Sequence, residues 1–323
     1  MAEPGTPAVH AQAREQFDAL VADLRVELHR YCARMTGSVV DGEDVVQDAL
    51  AKAYYMLPAV GTISNLRGWL FRIAHNKAID FLRRYDHRFA EPLDDHPELV
   101  QDAAPLDAAE QAEFALSHYL RLTALQRSCV ILKDVMDYSL AEISEVLDIS
   151  VPAIKGALHR GRSALRERAP EATQGPAQLD AQELQQLALY VRHFNARDFG
   201  ALRDLLIDDA KLELVGRTHA RGAQGVGSYY DNYARITGWR TEVGLVDGRP
   251  AILGFDSPTS GTGPDSVPAP GARPTFFVLV TWRNGQIAAI RDYRYARHVM
   301  ELARVEVAPQ SRQFSTTEAT RPA

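Results

Sequence analysis

The chain is 323 residues long, with 46% hydrophobic and 24% charged residues and a formal net charge of −6. This length predicts two or three domains, and the apolar share is ordinary for a globular protein. The N-terminus has no apolar run of signal-peptide length, and no window reaches the roughly 20 apolar residues that span a bilayer. These features argue against a secreted or membrane protein, so we expect a cytoplasmic protein with no membrane partner.

The two cysteines lie far apart in the sequence, in apolar helical contexts. Neither Cys32 nor Cys129 has the Cys/Cys or Cys/His spacing that a metal site requires. We expect both to be reduced core residues, and we predict no metal and no cofactor.

Residues 12–90 are predicted to form a first helical domain. Apolar residues recur with helical period from Phe17 to Tyr31, and Gly37 marks the end of that helix. A second helix is predicted to begin at Asp41, which is a natural N-cap. Its outer face is acidic and polar, and that face carries Asp44, Gln47 and Asp48.

The third predicted helix begins near Leu66 and is basic around an apolar body. From Arg67 to Arg88 the sequence has six basic residues and two acids. The composition then reverses, because residues 91–113 carry eight acids, three prolines and no Lys or Arg. We predict an acidic interdomain linker there, and composition alone favours a solvated spacer.

Residues 114–168 are predicted to form a second helical domain that ends in a helix-turn-helix. In the first helix of this motif the apolar residues fall at three- and four-residue steps from Leu140 to Leu147. Ser150 then predicts the N-cap of a second helix that runs to about Arg168. Its buried stripe is predicted to be Ile154, Ala157, Leu158, Gly161 and Leu165.

The last helix of this motif is basic outside its buried stripe, with five basic residues and a single acid, Glu167. Residues near the start of such a helix meet base edges in the DNA major groove, and later basic residues neutralise phosphates. A basic helix that is merely solvated is the alternative interpretation.

Net charge limits what this part of the chain can do alone. Residues 1–168 carry 19 Lys and Arg against 25 Asp and Glu. Few phosphates can be neutralised against that acidic background, so we expect weak DNA binding by the isolated protein. A larger protein partner is implied.

Residues 180–303 have a different pattern, which predicts an α+β domain after a linker over 169–179. Helices are predicted at 182–207 and 226–236, and strands at 212–215, 239–246, 251–255, 275–282 and 287–295. The turn Asn284-Gly285 is the clearest hairpin signal in the chain. Residues 256–274 are predicted to form a mobile loop, and residues 304–323 a disordered tail.

Three segments resemble extracytoplasmic-function sigma factors, the smallest sigma subunits of bacterial RNA polymerase, over roughly residues 12–168. They are DGEDVVQDALAKAY from Asp41, RGWLFRIAHNKAIDFLRR from Arg67 and LTALQRSCVILKDVMDYSLAEISEVLDISVPAIKGALHRGRSALRE from Leu122. The resemblance implies core RNA polymerase as partner, at its β′ clamp helices and β flap. The clamp helices would meet Asp44, Gln47 and Asp48, and an acidic face suits a basic groove.

The resemblance also implies two contacts with promoter DNA. The second segment would open and read the minus-ten element, a task that suits a basic helix with an aromatic body. Its candidate residues are Asn76, Lys77, Asp80, Arg83 and Arg84, with Arg72 as an additional candidate and Trp69 expected in the core. The third segment would read the minus-thirty-five element through Lys155, His159, Arg160 and Arg162. Gly156 and Gly161 depart from the common family pattern, which leaves the base preference open.

Residues 180–303 resemble SnoaL-like domains of the nuclear transport factor 2 superfamily, on the segments VDGRPAILGF and FFVLVTWRNGQIAAIRDYRYAR. The resemblance implies a curved sheet wrapped on helices, forming a cone with a pocket, which some sigma factors carry as a fused regulator. The segment Asp247-Gly248-Arg249-Pro250 is only a partial counterpart of a DGGG-type motif known from one such group. Enzymes of this superfamily use a pocket carboxylate as general base. Candidate pocket groups are His193, His219, Asp231, Asp292 and His298, and an ordinary structural or surface role is the alternative for each.

The sequence therefore predicts a multidomain fold: two all-α sigma domains, region 2 as a helical bundle and region 4 as a helix-turn-helix, followed by an α+β cone. The leading function is a non-enzymatic initiation factor that its C-terminal domain regulates, with no catalytic residue. One alternative is that this domain binds a small-molecule ligand or is an isomerase- or cyclase-type enzyme. The other is a conventional repressor, which is disfavoured because a repressor needs neither a clamp-binding helix nor a melting helix.

Overall fold

The computed structural model describes residues 7–60, 63, 65–85, 116–167, 180–256 and 272–308. The chain divides into two compact units between Ala172 and Thr173. The predicted linkers at 91–113 and 169–179, together with Arg88 and residues 309–323, lie outside the described residues.

The N-terminal unit is helical throughout its described residues. Its helices are α1 (Pro7–Thr36), α2 (Val39–Val60), α3 (Leu66–Tyr85), α4 (Leu116–Tyr119), α5 (Ala124–Val130), α6 (Leu140–Leu147) and α7 (Val151–Arg166). A π-helical turn, Ile131–Val135, extends α5. It places the Met136 N–H 3.0 Å from the carbonyl oxygen of Ile131.

Helix α2 begins earlier than the sequence predicted. Gly37, with φ of 77°, ends α1, and Ser38 accepts a hydrogen bond at 3.3 Å from the Asp41 N–H. Ser38 thus supplies the capping contact that was predicted for Asp41, which lies in the first turn of α2. A Cβ at Gly42 would lie 2.5 Å from the backbone of Ala33, so glycine lets α1 and α2 approach closely.

The predicted helix-turn-helix is confirmed, and its boundaries follow from local capping. Ser139 and Glu142 form a reciprocal capping box at the start of α6. Asp148, with φ of 57°, ends α6 in the left-handed conformation. Ser150 then caps α7 by accepting from the Ala153 N–H at 3.4 Å.

Helices of the two predicted all-α domains share one hydrophobic core. Buried side chains of α1, α2 and α3 belong to the same cluster as those of α5, α6 and α7, among them Leu28, Val46, Phe71, Cys129, Ile143 and Ile154. Both cysteines are buried, as predicted.

The C-terminal unit combines helices with one mixed sheet. Its elements are α8 (Ala181–Asn195), α9 (Phe199–Asp204), β1 (Leu206–Leu214), β2 (Thr218–Arg221), α10 (Gly222–Arg235), β3 (Trp239–Val246), β4 (Arg249–Asp256), β5 (Phe276–Arg283), β6 (Gln286–Asp292), α11 (His298–Leu302) and β7 (Val305–Val307). The strand order is β2-β1-β6-β5-β4-β3-β7. Only the β1–β6 pair is parallel among the described pairings. The predicted α+β class is confirmed.

Two hairpins turn on residues with positive φ. Asn284 (52°) and Gly285 (80°) join β5 to β6, as predicted, and Asp247 (50°) and Gly248 (76°) join β3 to β4 in the same way. Positive φ at both central residues is the geometry that matches the twist of paired strands. The segment at Asp247 is therefore a structural turn.

The predicted elements of this unit differ from the structure in several places. The helical span at 182–207 is broken at Arg197, where φ is 56°, and β1 already begins at Leu206. Strand β2 was not predicted. Residues 305–307, predicted as part of a disordered tail, form β7 and pair with β3, where Val246 faces Val305; the backbone groups of Asp247 and Arg304 anchor this pairing.

Candidate nucleic-acid and protein interfaces

The acidic face of α2 lies opposite the side that packs into the core. Val45, Val46 and Ala49 are buried, whereas Asp44 and Gln47 are half-buried and Asp48 is exposed. We call Asp44, Gln47 and Asp48 the α2 surface. Lys77 of α3 lies 3.9 Å from Asp48, and both side chains are partly exposed, so this ion pair is weak.

The C-terminal half of α3 presents polar and basic groups to solvent. Asn76, Asp80, Arg83 and Arg84 are exposed, and Lys77 is half-buried. Arg84 donates to the Asp80 carbonyl at 3.2 Å. Arg83 and Arg84 lie in the last turn of α3, where positive charges interact favourably with the negative end of the helix dipole. Their side chains remain accessible to an anionic strand.

The N-terminal half of α3 is used inside the protein. Arg67 donates to the Tyr138 hydroxyl at 3.0 Å and to Glu27 at 2.7 Å. Arg72, an additional candidate for DNA contact, donates to the carbonyl of Glu145 near the end of α6. The structure therefore separates α3 into a half that packs on the helix-turn-helix and a half that carries the predicted DNA-contacting residues.

On α7 the predicted buried stripe is confirmed. Lys155 and Arg160 are exposed, and His159 is half-buried. Gly161 lies where a Cβ would come within 2.8 Å of Val130, so glycine allows close packing of α7 on α5. The accessible cations of this helix are thus concentrated at Lys155, Arg160 and Arg166.

The prediction that Arg162 contacts DNA is contradicted by the burial of its side chain. Its side chain is 7% exposed and pairs with Asp134, which is 1% exposed. The guanidinium donates twice, from Nε at 3.0 Å and from Nη2 at 2.6 Å, to the two carboxylate oxygens. This bidentate pair fixes α7 to the π-helical turn, so Arg162 is a structural residue that cannot reach DNA from this position.

A polar cluster of buried Tyr31, half-buried His75 and buried Ser128 links α1, α3 and α5. The Tyr31 hydroxyl lies 2.8 Å from His75 Nδ1 and 3.2 Å from Ser128 Oγ, and Ser128 Oγ lies 3.3 Å from the same ring nitrogen. Burial lowers the pKa of His75 to about 4, because an imidazolium would lose its hydration there. The histidine is therefore neutral at physiological pH.

Arg127 stands beside this cluster and is fully buried. Its guanidinium donates to the Met35 carbonyl at the end of α1, to Leu122 at 3.0 Å and to Leu120 at 3.3 Å. Burial lowers its pKa to about 10. Neither Arg127 nor the cluster was predicted from the sequence, although polar residues within an apolar helical run were the available signal.

In the C-terminal unit the five candidate pocket residues are not brought together. His219 and Asp231 are exposed, His193 pairs with Asp198 at 3.0 Å, and His298 is half-buried on α11. Asp292 alone is fully buried among them.

Asp292 lies under α10 at the end of β6. It accepts hydrogen bonds at 2.7 Å from the Tyr233 hydroxyl and at 2.7 Å from the Arg294 N–H. Burial raises the pKa of its carboxyl, and the hydrogen bonds from Tyr233 and Arg294 partly oppose that rise. Tyr233 also belongs to a cluster of packed aromatic rings, in which the Phe194 centroid lies 4.8 Å from those of both Tyr233 and Trp239.

We expect Asp292→Asn to change the pH dependence of stability. Because the pKa is raised on folding, the folded domain holds this proton more tightly than the unfolded chain, and wild-type stability falls as pH rises above the ordinary aspartate value of 3.8. The variant lacks that loss, so its free energy of unfolding relative to wild type should increase with pH, by at most about 1.4 kcal/mol per pH unit. Its thermal midpoint relative to wild type should rise in the same direction. Thermal unfolding of both full chains from pH 4 to 8 measures this. A difference that does not vary with pH would contradict the raised pKa.

Within the described residues no group of three or more His, Cys, Asp or Glu side chains could hold a metal ion. No described helix is long and apolar enough to cross a membrane.

Comparisons with known proteins match the N-terminal unit. The family model for Sigma-70 region 2 matches residues 20–88, and that for Sigma-70, region 4 matches residues 120–165. The ECF RNA polymerase sigma factor SigW of Bacillus subtilis (strain 168) is 30% identical over 167 residues, covering 48% of this chain and 89% of SigW.

Two further comparisons extend beyond these regions. The ECF RNA polymerase sigma factor SigG of Mycobacterium tuberculosis is 29% identical over 246 residues, covering 67% of this chain and 66% of SigG. The crystal structure of the Mycobacterium tuberculosis extracytoplasmic function sigma factor SigJ is 20% identical, with 86% of this chain and 95% of that chain covered and a TM-score of 0.33.

Proposed function

Because the chain belongs to the extracytoplasmic-function RNA polymerase sigma factors, we propose that it binds core RNA polymerase and directs promoter-specific initiation of transcription. The observation that carries the proposal is a capped helix-turn-helix with Lys155 and Arg160 exposed, in one compact unit with the α2 surface. A sigma factor needs these two kinds of surface together, one for the polymerase and one for promoter DNA.

In this proposal the α2 surface contacts the clamp helices of the polymerase β′ subunit. Its acidic side chains lie at successive turns on the solvent side of α2 and suit a basic protein groove. The β flap of the polymerase is the second proposed protein contact, and the predicted domain that contains the helix-turn-helix would make it.

We expect charge reversal at both acids, Asp44→Lys with Asp48→Lys, to abolish binding of core polymerase. Like charges across the interface replace attraction by repulsion, whereas the core of the unit is unaffected because neither side chain is buried. Pull-down of purified core polymerase by the full chain measures this, with circular dichroism as the check on folding. Undiminished pull-down by a folded double variant would refute the assignment of the α2 surface.

The exposed half of α3 is proposed to engage the opened minus-ten element. Single strands are held by phosphate neutralisation with stacking, and Arg83 and Arg84 supply adjacent accessible cations. Asn76, Lys77 and Asp80 lie one to two turns earlier on the same helix, where they would contact bases of the opened strand.

Replacing Arg83 and Arg84 by Ala should impair promoter opening more than formation of the closed complex. Both cations are proposed to hold phosphates of a strand that becomes single only after opening. Permanganate reactivity of unpaired thymines reports opening, and a mobility-shift assay reports the closed complex. Normal thymine reactivity in the variant would count against this role.

Helix α7 is proposed to read the minus-thirty-five element through Lys155, His159 and Arg160. Lys155 lies in its first turns, where recognition helices meet base edges, and Arg160 lies further along, where phosphate contacts are also in reach. The acidic balance of residues 1–168 makes polymerase, rather than DNA affinity alone, the source of stable promoter binding.

The C-terminal unit is proposed to regulate the sigma unit. It has its own core and sheet, and its connection to the sigma unit keeps its local concentration high. Run-off transcription with purified core polymerase tests both parts of the proposal, if the full chain is compared with a chain that ends at residue 172. No promoter-specific transcript from either form would refute the sigma function, and equal transcription by both would refute regulation.

A second candidate for the C-terminal unit is binding, or isomerase- or cyclase-type turnover, of a small molecule. The observation that favours it is Asp292, a buried carboxyl with raised pKa that is hydrogen-bonded to Tyr233, since such groups are typical of functional sites. The packed rings of Phe194, Tyr233 and Trp239 would have to move to admit a ligand. Native mass spectrometry of the purified full chain tests binding. If the domain binds a small molecule, that molecule should copurify with the wild-type chain and be absent from the Asp292→Asn variant.

A further inference from the structure

Helix α2 carries a strongly exposed aromatic residue beyond the α2 surface. Tyr55 is 86% exposed, the highest value among the exposed large hydrophobic side chains of the described residues. Its neighbour Tyr54 is 42% exposed, and its ring packs edge-on against Phe17 of α1 with centroids 6.0 Å apart. Tyr55 is thus the more exposed of two adjacent tyrosines at this end of α2, and no ring contact of Tyr55 to another described side chain holds it.

Tyr55 continues the line of the acidic side chains. Positions 44, 48, 51 and 55 are separated by steps of four, three and four, which place them on one side of an α-helix. The line is about 16 Å long, at 1.5 Å per residue. Between its acidic end and Tyr55 the side chains at Ala51 and Lys52 are exposed, and the small Ala51 side chain leaves room for a partner to reach the helix beside the ring.

Such an arrangement has the composition of a protein interface. Tyrosine is enriched among residues whose truncation costs most binding, because a rigid ring buries a large area with little loss of conformational freedom. Charged residues at the edge of an interface mainly speed and orient association. An exposed aromatic side chain beside acidic residues is therefore typical of an interface in which the ring supplies binding energy and the charges speed association.

We propose that Tyr55 is the anchor of the polymerase-binding surface and enters an apolar recess of core RNA polymerase next to the basic groove that meets Asp44 and Asp48. This inference rests on the proposed function, and its occupant follows from continuity with the α2 surface on the same helix face. Tyr55 slows dissociation of the complex, whereas Asp44 and Asp48 speed its formation.

The test uses the full chain and purified core polymerase in a kinetic binding assay at two salt concentrations. We expect Tyr55→Ala to weaken binding by at least about tenfold, mainly through faster dissociation, with little change in salt dependence. Tyr55→Phe should keep most of the affinity, because the ring is retained. Tyr295→Ala is the matched control, since Tyr295 is 47% exposed but lies in the C-terminal unit, and it should bind as wild type does.

The outcomes separate this inference from the proposed function. If Tyr55→Ala binds like wild type while reversal of Asp44 and Asp48 abolishes binding, the anchor is refuted and the α2 surface stands. If both variants bind like wild type, the α2 surface itself is refuted. If Tyr55→Ala changes only the oligomeric state in light scattering, the ring belongs to a contact between copies of the chain, which also overturns the inference.

Discussion

Replacing Arg162 by Ala is expected to lower the free energy of unfolding of the N-terminal unit by about 3 to 5 kcal/mol, the cost of breaking a buried ion pair from one side. The Asp134 carboxylate, 1% exposed, would lose two guanidinium hydrogen bonds and remain buried. Urea unfolding of the full chain, followed by far-ultraviolet circular dichroism, measures the loss.

Two control variants separate this structural role from a DNA contact. Arg162→Met combined with Asp134→Leu removes both charges and should recover most of the stability, because paired apolar side chains can replace a buried ion pair. Arg160→Ala should leave unfolding nearly unchanged and weaken promoter binding by about 1 to 3 kcal/mol if Arg160 reads a base. A stable Arg162→Ala protein with weakened DNA binding would show instead that Arg162 contacts DNA.

Acidification is expected to loosen the packing of region 2 on region 4 through His75. Its pKa is lowered from 6.5 to about 4 on folding, so the unfolded chain binds the proton more readily than the folded unit. The stability that depends on neutral His75 is complete above pH 6.5 and is lost as the pH falls from 6.5 to about 4. The maximum loss is about 3 kcal/mol, from the size of the shift.

The measurement compares wild type with His75→Gln in thermal unfolding between pH 4 and 7.5. The glutamine keeps a partner for the Tyr31 hydroxyl but does not titrate, so the gap between the two proteins should change across this window. His219→Gln removes an exposed histidine and serves as the control. Parallel pH profiles for wild type and His75→Gln would show that burial of this imidazole does not govern the packing.

The parts of the fold that the sequence predicted correctly are those with local causes. The helix-turn-helix follows from the capping serines Ser139 and Ser150 and from apolar spacing within single helices. The hairpin at Asn284-Gly285 follows from two residues that adopt positive φ readily. In each case the determining residues lie within a few positions of the feature.

The errors concern contacts between distant residues. Arg162 was assigned to the exposed face because it is charged, but its partner Asp134 lies 28 positions earlier and the π-helical turn that presents it has no sequence signature. Strand β7 is three residues long and exists through pairing with β3, more than fifty residues away. The α2 surface, the exposed half of α3 and the exposed residues of α7 stay predictions for binding, since their partners are separate molecules.

The shared core of the N-terminal unit sets a geometric problem for promoter recognition. The two promoter elements are about 25 base pairs apart by their positions, or roughly 85 Å along the duplex at 3.4 Å per base pair. The longest described helix of this unit, α1 with 30 residues, is about 45 Å long, and α3 contacts α6 of the helix-turn-helix through Arg72. If both elements are read as proposed, α3 and α7 would therefore have to separate before both elements are occupied. The contacts of Arg127, His75 and Arg72 stabilise the compact form of this unit. Their strength would then determine how readily the unit converts to an extended form on DNA.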